Sequence, residues 1–305
     1  MTPRQLAIAA IVFGAALLLW GAAALWRRAD TDVGAAPGSV LPAIARDAVD
    51  TVTIARPSDT TVLVRRDSAR WTANGHAADR ATISSLLDAL ADSARRIEPV
   101  AERAASHAGL GVDSASGSKV RVAGSKGPLA ELVLGQRTPD LQGGYVRRAG
   151  DSVVYLVRGP LAEALGRGSD EWRDRRMGGV VPDSVAAIEL GRGKRSTRLT
   201  RDSTRWMLAG GKAADSAAVR GLLDAYRSVE AAGFASRAQA DSARFAPPDR
   251  SVRLLRADGS PLFTLLLDSI ATGYWAKAGG DSTVYRIESW TVDRLMPADS
   301  VLRGP

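Results

Sequence analysis

Arg66-Asp67-Ser68-Ala69-Arg70-Trp71 returns 135 residues further on as Arg201-Asp202-Ser203-Thr204-Arg205-Trp206. Leu86-Leu87-Asp88-Ala89 returns as Leu222-Leu223-Asp224-Ala225 at an offset of 136, so the order is kept with a one-residue insertion. Tyr145 and the pair Val154-Tyr155 find later partners in Tyr274 and Val284-Tyr285. A period this long lies outside the roughly 20–50 residues of solenoid repeats. It reads as a duplicated domain, or as two halves of one domain, each of ordinary domain size.

Around each copy of the Trp motif the patterns agree. Thr51–Ile54 and Thr61–Val64 are short β-branched runs that predict paired strands, and Trp71 sits in a third strand ahead of the turn Asn74-Gly75. Asp79 caps a helix carrying Ile83, Leu86, Leu87, Leu90, Ala94 and Ile97 at the helical period. After a less regular stretch, strands are expected near 119–122, 129–134, 145–148 and 153–157, with a closing helix over Leu161–Leu165. The second copy repeats the order: strands at 186–190 and 197–200, then Trp206. Asp215 caps a helix with Val219, Leu222, Leu223, Tyr226 and Val229, and four strands and a helix around Trp290–Leu295 follow. Tight turns such as Ala257-Asp258-Gly259 make the sheets antiparallel. The expected class is α+β in two similar antiparallel-sheet-plus-helix units behind an N-terminal transmembrane helix. The expected core of the repeat is Trp71, Leu86, Leu87 and Tyr155 in one unit, and Trp206, Leu222, Leu223 and Tyr285 in the other. Asp-Ser occurs eleven times, and both residues favour caps and turns, so these pairs read as punctuation.

Leu6 to Trp26 carries no charge. Its twenty-one residues at about 1.5 Å each span about 31 Å, the hydrocarbon thickness of a bilayer. Trp20 and Trp26 lie toward the far end, where aromatic side chains favour the interface, and Arg27-Arg28 follow at once. A cleaved signal peptide ending at Ala22-Ala23-Ala24 is the rival reading, but the apolar run is long and only Arg4 marks a charged start. Arg4 with the amino terminus nearly balances Arg27 and Arg28, so charge leaves the orientation open. The organisation expected is an anchor over 1–28, a flexible linker over 29–47, and repeat units over 48–178 and 179–305.

The net charge of +8 does not point to nucleic acid. Arg outnumbers Lys 36 to 5, and the basic residues are interleaved with 33 acidic ones instead of forming a stripe. The absence of Cys excludes disulfides, thiolate metal sites and a cysteine nucleophile. His76 and His107 have no second ligand at a metal-site spacing, and neither recurs in the other copy. Ser116-Gly117-Ser118-Lys119 matches the S-x-x-K pattern of some acyl-enzymes without its companion motifs. Gly191-Arg192-Gly193-Lys194 lacks the spacing of a phosphate-binding loop and reads as a hairpin turn. The basic cluster Arg173, Arg175, Arg176, Arg192, Lys194 and Arg195 reads as a solvated face, since Glu171 and Asp174 are interspersed. No catalytic, cofactor-binding or metal-ligating residue is singled out, and no cofactor is expected.

The span, the Trp-bearing strand before Ala78-Asp79 and its Leu-Leu helix, and Gly109-Leu110-Gly111-Val112-Asp113 form one pattern. Tyr145-Val146-Arg147, Val154-Tyr155-Leu156-Val157 and Trp172-Arg173-Asp174-Arg175 complete it. It resembles the bacterial envelope proteins catalogued as domain of unknown function 4340, here in tandem copies covering nearly the whole chain after the linker. The second copy departs with Phe245-Ala246-Pro247-Pro248-Asp249 in place of the Gly-Leu-Gly stretch. The resemblance brings no catalytic residues. It implies a non-enzymatic accessory protein anchored in the cytoplasmic membrane through residues 6–26, its globular part outside. The implied partners are ABC-type transport subunits similar to those of gliding-motility systems. The alternative is an envelope module that binds a glycan or lipid in a cleft between the two units, lined by Trp275 or Trp290.

Overall fold

A computed structural model describes residues 41–93 and 96–303. The expected span, with Leu6, Trp20 and Trp26, lies outside the described residues, as does most of the 29–47 linker. No helix among the described residues is long and apolar enough to cross a membrane. The part of the expected linker that is described is packed: Leu41 and Ile44 are buried, and the Ile44 N–H donates to Leu90 O at 2.9 Å. The chain divides into two compact units at Trp172/Arg173.

In the first unit β1 (Thr51–Ala55), β2 (Thr60–Arg65), β3 (Trp71–Ala73), β4 (His76–Ala77), β5 (Ile97–Ala101), β6 (Ser118–Gly124), β7 (Gly127–Arg137), β8 (Gly143–Arg148) and β9 (Val154–Arg158) form one antiparallel sheet. Its order is β4-β3-β2-β1-β6-β7-β8-β9-β5. Helices α1 (Arg80–Ala91), α2 (His107–Leu110) and α3 (Pro160–Leu165) complete the unit.

Alternation along the strands decides the faces. Val52, Ile54, Val120, Val122, Leu132 and Val146 point to one side and pack with Leu86, Leu90, Leu161 and Leu165 of α1 and α3. Each such side chain contributes about 1.5–3 kcal/mol by leaving water. Asp79 caps α1 by accepting from the Thr82 N–H at 2.7 Å. Asn74 (φ +49°) and Gly75 (φ +84°) give the β3–β4 turn the two positive φ angles of a type I′ hairpin.

The second unit has β11 (Ala187–Arg192), β12 (Arg195–Asp202), β13 (Arg205–Leu208), β15 (Gly233–Phe234), β16 (Arg250–Leu255), β17 (Pro261–Ile270), β18 (Gly273–Ala278) and β19 (Tyr285–Ile287) in the order β13-β12-β11-β16-β17-β18-β19-β15. Position for position this is the order of the first sheet without β4. A separate pair joins β10 (Arg176–Gly178) to β14 (Val229–Glu230). The helices are α4 (Ser216–Ala225), α5 (Arg237–Ser242), α6 (Ser289–Leu295) and α7 (Asp299–Leu302). Asp215 caps α4 through the Ala218 N–H at 2.7 Å, as Asp79 caps α1. The registers match as well: the Arg65 N–H donates to Asp50 O and Arg201 N–H to Ala186 O, and Trp71 pairs with Arg65 as Trp206 does with Arg201.

Three expectations change. Helix α1 ends at Ala91, where Asp92 adopts extended backbone, and Ile97 belongs to the edge strand β5. Pro99, which has no N–H to give a ladder, is accommodated because β5 has only one neighbour. Likewise α4 ends at Ala225, with Tyr226 as its cap and Val229 in β14. The partner of Tyr145 is not Tyr274. Tyr145 pairs with Leu156 and Trp275 with Arg286, whereas Tyr155 and Tyr285 face Val146 and Ala276, so Tyr145 and Trp275 correspond. A slip of one residue moves a side chain to the other face. Tyr274 therefore belongs to the core, while Tyr145 packs on the opposite face.

Candidate functional site

The first polar device that recurs is an arginine at the end of the opening strand of each sheet. Arg56 donates to the carbonyls of Leu165 (3.0 Å) and Arg167, where α3 ends. Arg192, at the matching place, donates to the carbonyls of Met296 (3.0 Å) and Pro297 (2.6 Å), where α6 ends. A guanidinium suits this position, because the last carbonyls of a helix are unsatisfied and carry partial negative charge. A threonine accompanies each: Thr61 lies 3.5 Å from Arg56, and Thr197 donates to Asp299 at 2.7 Å while Arg192 pairs with Asp299 at 3.1 Å. From the sequence, Arg192 is expected in a hairpin turn and on a solvated face. The turn is real, at Gly193 and Lys194, but the Arg192 side chain is held against α6. Arg173 likewise leaves the supposed basic face and stacks 3.5 Å from the centre of the Phe234 ring.

The second feature does not recur. On the first sheet's outer face, β6, β7, β8 and β9 bring Lys119, Val133, Arg147 and Val154 into one cross-strand row. Val112, from the segment after α2, packs on Val133 and Val154. Glycines make that approach possible: a Cβ on Gly135 would stand 2.3 Å from Leu110 O, and one on Gly117 would stand 2.4 Å from Val133 Cγ1. Arg147 fastens the segment, donating through Nε and Nη2 to Val112 O (3.2 and 3.1 Å) and through Nη1 to the carbonyls of Asp151 (2.9 Å) and Arg148 (3.3 Å). Beside this row opens a groove of about 290 Å³, lined among others by Ser114, Lys119, Arg121, Glu131, Val133 and Arg147. Arg121 pairs with Glu131 at 3.3 Å.

The other polar candidates have structural occupations. The Ser116 hydroxyl donates to Asp113, which also accepts the N–H groups of Ala115 (2.7 Å) and Ser116 (3.0 Å). These bonds, the hydroxyl's above all, hold the Asp113 carboxyl at about 2. His107 Nε2 lies 2.8 Å from Ser152 O, and His76 stands exposed in β4. Among the described residues, no group of three His, Asp or Glu is placed to hold a metal ion. Trp71, Leu86 and Leu87 are buried in the first core and Tyr155 packs at its edge; Trp206, Leu222, Leu223 and Tyr285 are buried in the second. Trp275 is buried, while Trp290 is 66% exposed with Arg294 at 5.8 Å from its ring.

Asp-Ser pairs do serve as punctuation. Asp67, Asp113, Asp151, Asp215 and Asp281 each accept a backbone N–H two or three residues on.

The family described as Domain of unknown function (DUF4340) matches residues 71–248, one stretch running from β3 of the first unit to the loop before β16 of the second. Neither a curated protein nor a solved structure matched the chain.

Proposed function

The chain belongs to the DUF4340 family, and from that membership we propose that it is a single-pass, non-enzymatic accessory protein of the bacterial envelope. It works with an ABC-type transport or gliding-motility-like complex. The observation that carries the membrane part is the uncharged run Leu6–Trp26, closed by Arg27-Arg28. The family resemblance supports globular units outside the cytoplasmic membrane, and the nearly balanced flanking charges do not oppose it, since large domains translocate largely regardless of charge.

The non-enzymatic part is supported by what the duplication repeats. The recurring polar groups, Arg56 with Thr61 and Arg192 with Thr197, hold the ends of helices. The hydroxyl of Ser116 in the S-x-x-K stretch donates a hydrogen bond to the Asp113 carboxylate, which that bond helps to keep ionised. No nucleophile and base are assembled from these parts.

Two measurements test this reading. Deleting residues 1–28 should move the protein from the membrane fraction to the soluble fraction. Tagged full-length protein purified in mild detergent should bring transporter subunits with it; recovery of the bare chain, membrane-bound but alone, would remove the accessory role.

A further inference from the structure

We propose that the β7–β8 loop of the first unit, residues 138–142, touches the anionic headgroup surface of the bilayer through Leu141. The proposal rests on the membrane anchor. Leu141 has φ +58°, a left-handed conformation that crowds a Cβ and that glycine adopts freely. Its side chain is also 62% exposed and belongs to none of the hydrophobic clusters. Leucine here therefore costs the unbound protein twice, once in the backbone and once in burial that is not made.

The loop is built to hold that side chain out. The Leu141 N–H donates to Thr138 O at 2.8 Å, closing a turn that contains Pro139, and Arg137 Nη2 donates to Leu141 O at 2.8 Å. The hydroxyl of buried Thr138 accepts the Gly143 N–H at 2.9 Å. Asp140 accepts from the Gln142 N–H and from Arg158 Nη1, both at 3.1 Å, and the Gly159 N–H donates to Gln142 O at 2.9 Å. A side chain presented by an ordered loop loses little entropy on binding. The second unit has no counterpart: β17 ends at Ile270 and β18 starts at Gly273, so Ala271-Thr272 replace the loop.

Tether length and charge select the bilayer as the occupant. Residues 29–40 separate Arg28 from buried Leu41 and, at about 3.5 Å per residue, reach at most about 45 Å. A compact unit the size of residues 41–172 has a radius of gyration of about 14 Å and a diameter of about 36 Å. Every loop of the first unit is thus within reach of the bilayer that anchors the chain. Asp140 pairs with Arg158 at 3.1 Å, while Arg137 pairs with no carboxylate among the described residues. An apolar tip beside an arginine suits the boundary between acyl chains and acidic headgroups. There the guanidinium meets phosphate, and the lipids yield to the side chain without a shaped pocket.

The chain has no Cys, so Gln142→Cys and Lys126→Cys each create a single labelling site. Lys126 is exposed in the turn at the opposite end of β7. Full-length protein labelled with a polarity-sensitive fluorophore would be reconstituted in vesicles of phosphatidylcholine and phosphatidylglycerol in equal parts, with nitroxide-bearing headgroups as quencher. The label at 142 should be quenched about twofold or more relative to the label at 126, and Leu141→Gly should abolish that difference. Glycine takes the same φ without strain, and circular dichroism would verify that the fold is kept. Equal quenching at the two positions, a difference that survives Leu141→Gly, or one as large in phosphatidylcholine alone would overturn the proposal. So would a label at 142 that brightens when labelled protein is diluted with unlabelled protein, which would assign the loop to a second copy of the chain. Protein that does not float with the vesicles would remove the anchor, and the proposal with it; protein that floats with its label at 142 unquenched would remove the proposal alone.

Discussion

The two units share a strand order, a capped helix and an arginine clamp, yet their sheets present different outer faces. In the first, a glycine-rich segment lies on β7, and Arg147 holds it beside a groove lined by Lys119, Arg121 and Glu131. In the second, the corresponding stretch contains α5 and Phe245, with Arg198, Glu189 and Arg253 forming an exposed ladder at 2.8 and 3.1 Å. The inner faces differ less, though they do differ: Leu90 of the first unit gives way to Tyr226, packed on Phe263 and hydrogen-bonded to Leu295 O at 2.7 Å. Backbone-level devices are common to both units, while faces not needed for the core differ. A binding role is therefore to be sought on a face that one unit has and the other lacks.

The largest expected effect tests the shared core. Leu86→Ala and Leu222→Ala each remove a buried side chain from the same helical position. Each should cost about 2–5 kcal/mol, because partial relaxation leaves a cavity. Hydrogen exchange on the full chain should show lost protection in the unit that carries the change; a loss confined to the opposite unit would break the correspondence.

Next come Arg56→Met and Arg192→Met. Each strands two carbonyls at a helix end, at a cost of about 1.5–3 kcal/mol, in the range of hydrogen bonds to charged groups. Denaturation midpoints that fall for one variant and not the other would show that the clamp is duplicated in form only.

Tyr226→Phe sharpens the contrast between the cores. Burial raises the phenol's pKa well above its usual value, so it stays a neutral donor to Leu295 O. Its loss should cost about 1 kcal/mol, the usual net worth of one hydrogen bond, and equilibrium unfolding would measure it. A silent substitution would mean that the second unit gains nothing over the leucine of the first.

The smallest effect is one of pH. Asp113 titrates at about 2 when folded, below its ordinary value of 3.8. The turn it holds is thus fully supported above 3.8 and loses that support as pH falls through about 2. A carboxyl NMR titration should place the midpoint there, and Ser116→Ala should raise it, since the hydroxyl is the leading cause. An unchanged midpoint would show that the backbone N–H groups suffice.

Most of the fold was legible in the sequence for definite reasons. Asn74-Gly75 demands a turn, Asp79 and Asp215 have helices to cap, and β-branched runs alternate where one face is buried. The failures are equally specific. Ile97 fits the helical period by accident, and an edge strand containing Pro99 carries little strand signal. Tyr145 and Tyr274 share a residue type but not a face, and identity outweighed register. The groove was invisible because Lys119, Val133 and Arg147 stand fourteen residues apart and meet only through the ladder. The clamp left a readable trace, since Arg56 and Arg192, and Thr61 and Thr197, each recur at offset 136.

The clamp also bears on how the polypeptide is made. Arg56 waits for carbonyls 109 and 111 residues later, and Arg192 for carbonyls 104 and 105 residues later. The Asp215 N–H, at the start of α4, is answered only by Leu302 O. A nascent chain emerging from the ribosome therefore cannot close either unit until nearly all of that unit has been synthesised. An incomplete second unit would leave the Arg192 guanidinium and the entrance of α4 without their partners, and open to proteases and chaperones, until its last residues are made.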